Sequence, residues 1–464
     1  MIKSPGFVEE AGPKGTGSAS GEKAFGSVEN DGSPAGGLAK LKFALRALRS
    51  RNYRLFFVGQ GISLIGTWMQ RIAVNWLVYR LTGSAFLLGM VNFLGQFPTF
   101  LVAPYAGVVA DRLNRRRIIV VTQVLSMVQA LILAVLALTD VVTVWEVMVL
   151  SIVLGIINGF DMPTRQSFVI EMVAGREDLG NAIALNSFLF NGARLIGPTV
   201  AGLLIATMGE GVCFLVNGLS YIAVIASLLA MRLAPWRAPT MNAPFYKELR
   251  EGVAYALRSV PIRSILLLLA LVSLMGMPYV VLLPIVAKDI LHGGAHTLGF
   301  LTGASGVGAV AAALYLASRR SVIGLVRIIA IAAGWFGCGL VVFSFSSVFW
   351  LSSLILMVVG CAMMTQMASS NTLLQTLVAD EMRGRVMSFH TMAFMGMAPF
   401  GSLLAGVLAD AIGTPYTLLV SGIVCLCGAA WFTARLPIIR KAIRPIYVEK
   451  GLLPPDEYQA PGAN

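Results

Sequence analysis

Charged residues are scarce in this sequence. Of its 464 residues, 12% are Asp, Glu, Lys or Arg, whereas 57% are hydrophobic. A soluble globular protein carries about 25% charged residues, so this chain has too few of them to cover a water-facing surface of its size. The composition therefore excludes a soluble protein and predicts an integral membrane protein.

The sequence also lacks the motifs of enzymes and metal sites. It has three histidines and no GxSxG, Walker-type or HExxH motif. All five cysteines lie inside apolar runs, and Cys425 and Cys427 have neither the spacing nor the partners of a zinc site. We therefore expect no enzymatic activity, no catalytic residue, no metal and no cofactor. Without a nucleotide site, the energy for transport would come from a gradient.

The first 54 residues form two different segments. Residues 1–37 are rich in Gly, Ser, Pro and Glu and contain no apolar core, so we predict a disordered cytoplasmic tail and no cleaved signal peptide. In residues 38–54, leucines recur on one helical face while Lys and Arg surround it. This pattern predicts a basic amphipathic helix that lies at the membrane surface.

Twelve apolar runs follow, each long enough to cross a membrane, which takes about 20 residues. They divide the chain into an N-terminal six-helix bundle over 55–231, a cytoplasmic linker over 232–263, a C-terminal six-helix bundle over 264–434 and a cytoplasmic tail over 435–464. The predicted spans are 55–79, 85–110, 118–138, 145–172, 181–206, 212–231, 264–287, 298–317, 325–345, 348–374, 386–411 and 414–434.

Basic residues concentrate in alternate loops between these spans. One set of loops holds most of the arginines, whereas the opposite loops hold little beyond Arg80 and Lys288. The positive-inside rule therefore places both termini in the cytoplasm. The net charge of +13 then faces anionic lipid headgroups, and we expect no nucleic-acid partner.

The two predicted bundles are related in sequence. A shift of 204 residues superposes the stretch that begins at Gly192 on the one that begins at Gly396. The fifth and eleventh spans are thus equivalent and cross the membrane in the same direction. The sequence predicts an all-α membrane protein with twelve transmembrane helices in two six-helix pseudo-symmetric bundles. Such an architecture places a transport site at the midplane between the bundles.

The loop between the second and third spans carries a known signature. Its sequence, GVVADRLNRR over residues 107–116, resembles the signature loop of the major facilitator superfamily, and the resemblance extends over residues 50–435. The stretches FDMPTRQSFV, NGARLIGPTVAG and LVADEMRGRVMS are similar to the branch that contains the enterobactin exporter and macrolide efflux proteins. Asn114 stands where the signature usually has Gly, and Asn tolerates a left-handed backbone better than most residues.

This resemblance implies a secondary active transporter in the bacterial inner membrane that exports a siderophore-like or drug-like small molecule by alternating access, coupled to protons. The direction of export rests on the resemblance alone. A lysophospholipid or nutrient transporter is one alternative, and a non-transporting membrane scaffold or receptor is an alternative of another class. Gly155 replaces the usual arginine of the fourth-span signature, so proton coupling through that arginine does not carry over. We expect a monomer surrounded by membrane lipids.

The resemblance also assigns a gate to the signature loop. It places the second span beside the eleventh at the cytoplasmic face, where the N-terminus of a helix attracts a carboxylate. Asp111 would then latch the two halves when the cytoplasmic side is closed, and Gly107 would allow close approach. Arg112, Arg115 and Arg116 would supply paired charge and anchor the loop to lipid. The alternative is a plain positive-inside loop with an incidental Asp.

Four charged residues lie near the middle of predicted spans, namely Arg71, Asp161, Arg165 and Arg194. Each costs about 2.5–3.5 kcal/mol inside a membrane, so such residues usually face a cavity or a partner. Asp161 and Arg165 are spaced to pair on one helix face, with Arg194 as a rival partner. Two interpretations stay open: a substrate or proton pathway with Asp161 facing the central cavity, or an ion pair that braces the helices. The local charge of +2 suits an anionic or amphipathic cargo, though a neutral one is not excluded.

Aromatic, amide and small residues near these charges complete the predicted site. The candidates for the cavity lining are Trp68, Gln70, Asn75 and Trp76, for which packing or an interfacial belt is the alternative. Small residues on the fifth and eighth spans predict a close crossing that permits rocking, with static packing as the alternative. These residues are Gly197, Pro198, Ala201, Gly202, Gly299 and Gly303.

Overall fold

Long helices make up most of the described chain. A computed structural model describes residues 45–173, 175, 178–233, 254–319 and 321–454, apart from the side chains of Pro104, Val108, Asp111 and Asp380. The helices of the first half are α1 Arg51–Thr82, α2 Ala85–Arg112, α3 Arg115–Leu138, α4 Val144–Met172, α5 Leu179–Met208 and α6 Glu210–Ala230. Those of the second half are α7 Val260–Ile290, α8 Ala295–Ser318, α9 Leu325–Ser344, α10 Phe349–Leu377, α11 Glu381–Ile412, α12 Thr414–Ala434 and α13 Leu436–Glu449.

Eleven of the described helices, α2 to α12, are long and apolar enough to cross a membrane. The remaining long helix, α1, has 32 residues but includes four arginines, which lower its mean hydropathy. The all-helical membrane fold is therefore confirmed. The twelfth span, α1, stays a prediction.

Local signals explain where the first helices end and begin. Gly83 has φ +63°, a left-handed backbone that terminates α1. The Ser84 hydroxyl accepts a hydrogen bond from the Leu87 N–H (3.2 Å) and caps α2. Asn114 caps α3 in the same way by accepting from the Arg117 N–H (3.2 Å), with φ −65°. The expectation that Asn114 serves a left-handed turn is therefore wrong, because it is used as an N-cap in extended backbone.

Two helices of the second half contain π turns. They occur at Val272–Gly276 and Val286–Ile290 in α7 and at Met392–Gly396 in α11. The Ser273 hydroxyl donates to the Phe394 carbonyl oxygen and so joins two of these turns. A π turn leaves backbone groups without their normal helical partners, and a hydroxyl from the neighbouring helix supplies one here.

The helices pack in corresponding pairs in the two halves. In the first half, α2 packs along α4 and α3 along α6; in the second, α8 packs along α10 and α9 along α12. The halves meet where α5 packs against α8 and α2 against α11. These inter-half contacts frame the cleft in which the predicted transport site lies.

One end of this bundle is rich in arginine. It is the end where α2, α4, α6, α8 and α10 finish, and we call it the arginine-rich end. Here Arg115 pairs with Glu171 (2.9 Å), which joins the start of α3 to the end of α4. Arg116 donates to the Leu229 carbonyl oxygen near the end of α6 (2.8 Å). The other end, where α1, α5, α7 and α11 finish, is called the opposite end below.

The segment predicted as an interfacial helix packs into the first half. Residues 38–44 lie outside the described residues, Arg46–Arg49 form a 3-10 turn, and α1 already begins at Arg51. Ala47 is buried and its N–H donates to Asn181 Oδ1 (2.9 Å), while the Tyr53 hydroxyl donates to the Ala182 carbonyl oxygen (2.7 Å). These bonds hold the described part of the segment against α5, and it is not one continuous helix. Its predicted place at the membrane surface stays a prediction.

The residues predicted as linker and tails are described only in part. Residues 1–37, 234–253 and 455–464 lie outside the described residues. Within the predicted C-terminal tail, α13 buries Ile439, Ile443 and Tyr447. The Tyr447 hydroxyl donates to the Val322 carbonyl oxygen (3.4 Å) and Lys450 Nζ to the Val378 carbonyl oxygen (3.4 Å). The first part of this segment is thus a packed helix.

Candidate functional site

Two glycine crossings close the cleft at the opposite end. A Cβ atom added at Gly202 of α5 would lie 2.9 Å from Gly299 Cα of α8. A Cβ atom added at Gly406 of α11 would lie 3.1 Å from Gly89 Cα of α2. Only glycine permits such backbone contact. The repeat makes Gly202 and Gly406 equivalent, so the same crossing occurs twice.

The structure corrects part of the predicted small-residue row. Gly197 faces α1, where an added Cβ would lie 2.6 Å from Trp68 Cβ. The Ala201 carbonyl oxygen faces Cys213 Sγ of α6 (3.9 Å). These two residues therefore pack inside the first half and not across the cleft. The contact with α8 uses the neighbouring face of α5, to which Pro198 contributes its carbonyl oxygen beside Gly299.

Gly303 follows the prediction more closely. An added Cβ at Gly303 would lie 2.5 Å from Thr199 Oγ1 of α5, and Gly306, one turn further along α8, lies against Leu195 Cα. The crossing of α5 and α8 therefore extends from the opposite end towards the middle of both helices.

A polar contact joins the halves beside these crossings. The Tyr79 hydroxyl of α1 donates to the Asp289 carboxylate at the end of α7. Lys288 Nζ lies 5.4 Å from the centre of the Tyr79 ring. Arg80, the next residue, pairs with Glu210 inside the first half (2.7 Å). The Tyr79–Asp289 contact is not predictable from the sequence, because no spacing rule relates residues so far apart in the chain.

The arginine-rich end of the cleft is open. Among the residues that the structure describes, none from another part of the chain lies within 4 Å of a Cβ atom added at Gly107 of α2 or at Gly192 of α5. The part of α11 that packs along α2 is Ala398–Ile412, whereas Asp380–Thr391 makes few contacts with α2. The helices that cross the cleft thus converge at the opposite end and separate towards the arginine-rich end.

The signature loop lies at this open end. The side chain of Asp111 is outside the described residues, so its role as a latch stays a prediction. Arg112 is exposed, whereas Arg115 and Arg116 bind Glu171 and the Leu229 carbonyl oxygen. These two arginines brace α3 against α4 and α6 in addition to any contact with lipid.

Asp161 is buried between α3 and α4. Its carboxylate pairs with Arg165 and accepts hydrogen bonds from Thr122 Oγ1 (3.0 Å) and Gln123 Nε2 (2.9 Å). The residue is 2% exposed, so the expectation that Asp161 faces the central cavity is wrong for this conformation. The residues Thr122 and Gln123 on α3 draw the carboxylate away from the cleft. Arg165 is its partner, and the rival Arg194 is engaged elsewhere.

The two amide candidates for the cavity lining are also buried. Gln70 Nε2 donates to Gln129 Oε1 (3.0 Å), and Gln70 Oε1 accepts from Asn217 Nδ2 (2.6 Å). Asn75 Oδ1 accepts from Asn92 Nδ2 (2.8 Å). Buried amides need such partners, and these partners lie inside the first half. Gln70 and Asn75 therefore brace helices, and Trp76 packs partly buried against the core.

Arg71 and Arg194 meet at Trp68. Arg71 Cζ lies 4.9 Å from the centre of the Trp68 ring and Arg194 Cζ lies 5.9 Å from it. Arg71 is exposed and Arg194 half-buried. Leu195, the residue after Arg194, packs on Gly306 of α8, and the Tyr279 hydroxyl of α7 is 2.8 Å from Oγ of the preceding residue, Ser305. The structure thus brings three predicted residues, Trp68, Arg71 and Arg194, together in one cluster.

Known proteins with similar sequences fix the class of protein. The family model described as transmembrane secretion effector matches residues 43–447. The chain belongs to this family of major facilitator superfamily transporters. It is 26% identical over 375 residues to the Staphyloferrin A transporter of Staphylococcus aureus, covering 81% of this chain and 94% of the relative. It is 25% identical over 392 residues to Macrolide efflux protein A of Streptococcus pyogenes, covering 81% and 95%.

Solved structures agree on the fold. A bacterial homologue of the human lysosomal transporter Spinster, in an inward-facing and occupied conformation, matches with a TM-score of 0.67 at 12% identity, covering 86% of this chain and 98% of that one. The predicted superfamily and the likeness to macrolide efflux proteins are thereby confirmed. The chain is a multi-pass membrane transporter with a small-molecule substrate, and not an enzyme.

Proposed function

We propose that this transporter is a proton-driven exporter of a siderophore-like or drug-like small molecule in a bacterial inner membrane. It works by alternating access as a monomer among membrane lipids. Its relatives include proteins named for staphyloferrin A transport and for macrolide efflux. The absence of a nucleotide motif from the sequence leaves an ion gradient as the source of energy.

The observation that carries the alternating-access part of this proposal is the difference between the two ends of the cleft. The glycine crossings close the opposite end, while α2 and α11 separate at the arginine-rich end. The positive-inside rule assigns the arginine-rich end to the cytoplasm. On that orientation the cleft is open to the cytoplasm, which is one of the two conformations that alternating access requires. The direction of export is supported by the named relatives.

The test is transport into inverted membrane vesicles, whose outer surface is the cytoplasmic one. Labelled siderophores and macrolides are added outside, with an acidic interior or with no pH gradient. We expect accumulation that depends on the gradient and that a protonophore abolishes. Vesicles without the protein are the control.

Each other outcome contradicts a named part of the proposal. Uptake by right-side-out vesicles, but not by inverted ones, would favour the nutrient or lysophospholipid alternative. Accumulation that is the same with and without the pH gradient would exclude proton coupling. Binding of a cargo without transport in either kind of vesicle would favour a receptor or scaffold.

A further inference from the structure

Three arginines lie near the middle of the first half, but only one of them is neutralised. Arg165 pairs with Asp161, and these two charges cancel. Among the residues that the structure describes, neither Arg71 nor Arg194 has a carboxylate partner. Both therefore bring a positive charge to the boundary between the halves. An uncompensated charge inside a membrane is unfavourable and marks a ligand or ion pathway.

The two guanidinium groups are held beside one aromatic ring. Arg71 Cζ and Arg194 Cζ lie 4.9 and 5.9 Å from the centre of the Trp68 ring, so both positive charges adjoin the same ring. Two cations so close repel each other, although each gains a cation–π contact with the ring. A bound anion would relieve this repulsion, whereas a bound cation would increase it.

The ring itself is fixed by its surroundings. Trp68 Cβ packs on Gly197 of α5, where an added Cβ would lie only 2.6 Å away. The Phe190 ring meets the Trp68 ring edge-on, with centres 5.7 Å apart. This packing joins α1 to α5 at the level of both arginines. The place where an anion would bind, beside Trp68 and the two guanidinium groups, is therefore already formed.

The second half adds neutral groups to the same position. Leu195, the residue after Arg194, packs on Gly306 of α8, and the Ser305 hydroxyl, one residue earlier on α8, is hydrogen-bonded to the Tyr279 hydroxyl of α7. These groups leave the net charge of the cluster at two, contributed by Arg71 and Arg194. A guanidinium binds a carboxylate through two parallel hydrogen bonds, with more directional preference than a lysine offers.

We propose that Arg71 and Arg194 form an anion-binding site in the cleft, which recognises a cargo through a carboxylate. This inference rests on the proposed transport function, because it places the cargo in the central cleft. It names the substrate class: molecules with at least one carboxylate and an apolar part, which contacts Trp68.

The test is binding to the purified full chain in detergent, which needs neither a gradient nor transport. The probe is 2-naphthoate, and its neutral match is 2-naphthamide, which keeps the aromatic bulk and loses the charge. We expect the carboxylate to bind at least tenfold more tightly than the amide. Either Arg71→Gln or Arg194→Gln should remove this preference. Either Arg→Lys variant should keep only part of it.

A matched control uses the other arginine stacked on a tryptophan. Arg435 Cζ lies 4.8 Å from the centre of the Trp431 ring, at the arginine-rich end and outside the cleft. Arg435→Gln should bind 2-naphthoate like the wild type. The glutamine variants at Arg71 and Arg194 should melt at or above the wild-type temperature, because removing one of the two like charges relieves a repulsion that offsets the lost cation–π contact. A lower melting temperature in both would indicate a structural role and overturn the inference.

Further arms separate other sources of the anion. If inorganic phosphate competes as well as 2-naphthoate does, the site recognises oxyanions in general and not carboxylates in particular, which overturns the proposed substrate class. Competition by phosphatidylglycerol nanodiscs, but not by phosphatidylcholine nanodiscs, would assign the site to a lipid headgroup. Equal affinity for acid and amide would overturn the inference and leave export intact. Arginine-dependent binding without gradient-driven transport would leave the site intact and refute export.

Discussion

At the opposite end of the cleft, α2 and α11 approach until a Cβ atom on Gly406 would lie 3.1 Å from Gly89 Cα. At the arginine-rich end, no described residue from another part of the chain lies within 4 Å of a Cβ on Gly107. The same contrast holds along α5, where Gly202 is in contact and Gly192 is not. One end is therefore held by contacts between the halves. The other must rely on contacts inside each half, and this difference decides which residues matter at each end.

The largest effect is expected inside the first half, on the Asp161–Arg165 pair. Asp161→Asn leaves the half-buried Arg165 without its counter-charge, a loss of at most about 3–5 kcal/mol. We expect a clear fall in the melting temperature of the purified protein, while the protein that remains keeps its response to a pH gradient. The double change Asp161→Leu with Arg165→Met is the control and should retain most of the stability.

The opposite result would restore the cavity-facing role of Asp161. If Asp161→Asn melts like the wild type, binds cargo and no longer responds to the gradient, the carboxylate is the coupling acid. The buried position of Asp161 would then belong to one conformation of the transport cycle only.

The next largest effect is expected at the glycine crossing. In Gly406→Leu, the new side chain meets the Ala85 carbonyl oxygen and Gly89, which are backbone and cannot turn aside. Such overpacking costs about 1–3 kcal/mol, and every 1.4 kcal/mol shifts the ratio of two states about tenfold. We expect spin labels at the exposed residues Thr139 and Ser347, in loops of the two halves at the opposite end, to move apart.

Gly192→Leu makes the same change where there is open space. It should leave the distance between the labels unchanged, although it fills a position that another conformation would need. A Gly406→Leu protein with wild-type label distances and wild-type transport would show that the crossing does not hold the end closed.

A smaller effect is expected from the Tyr79–Asp289 contact. Tyr79→Phe removes one hydrogen bond to a charged group, worth about 1.5–3 kcal/mol at most, and leaves both glycine crossings in place. We expect the label distribution to broaden towards longer distances without a complete shift. Tyr416→Phe is the control, because Tyr416 is exposed and its hydroxyl has no hydrogen bond to any described residue. Identical label distributions for both variants would show that the Tyr79–Asp289 contact does not help to hold the opposite end closed.

The smallest effect on this conformation is expected from the predicted latch. Asp111→Asn changes a residue at the open end, where the halves are apart, so the label distances should stay as in the wild type. Transport should nevertheless slow, because the latch acts when the arginine-rich end closes. Wild-type transport by Asp111→Asn would contradict the latch.

Local patterns in the sequence predicted the elements well, because helix length and apolar composition are properties of neighbouring residues. The runs of apolar residues located the helices to within a few residues, and the i, i+4 spacing identified Asp161 and Arg165 as a possible pair. The small residues of α5 indicated a close crossing, because their spacing alone lets two helix backbones approach. These features need no knowledge of which helix lies beside which.

Features that depend on the neighbouring helix were not predictable in the same way. Gly197 and Gly202 are both small residues on α5, yet one faces α1 and the other α8. Gln70 lies two residues from Trp68, but its amide turns into the first half towards Gln129 and Asn217. The sequence also allowed Arg194 as a partner for Asp161, because it could not show that Thr122 and Gln123 fix the carboxylate on α3.

The helix α13 has a consequence for the genetics of this protein. Tyr447 and Lys450 donate to backbone carbonyl groups beyond α8 and at the end of α10, and Ile439 and Ile443 are buried beneath the second half. A nonsense mutation just after Arg435 would keep every membrane-crossing helix but expose these apolar surfaces and release both carbonyls. Early-stop alleles in this short stretch should therefore behave as loss-of-function alleles in a resistance or secretion screen, despite an intact substrate cleft.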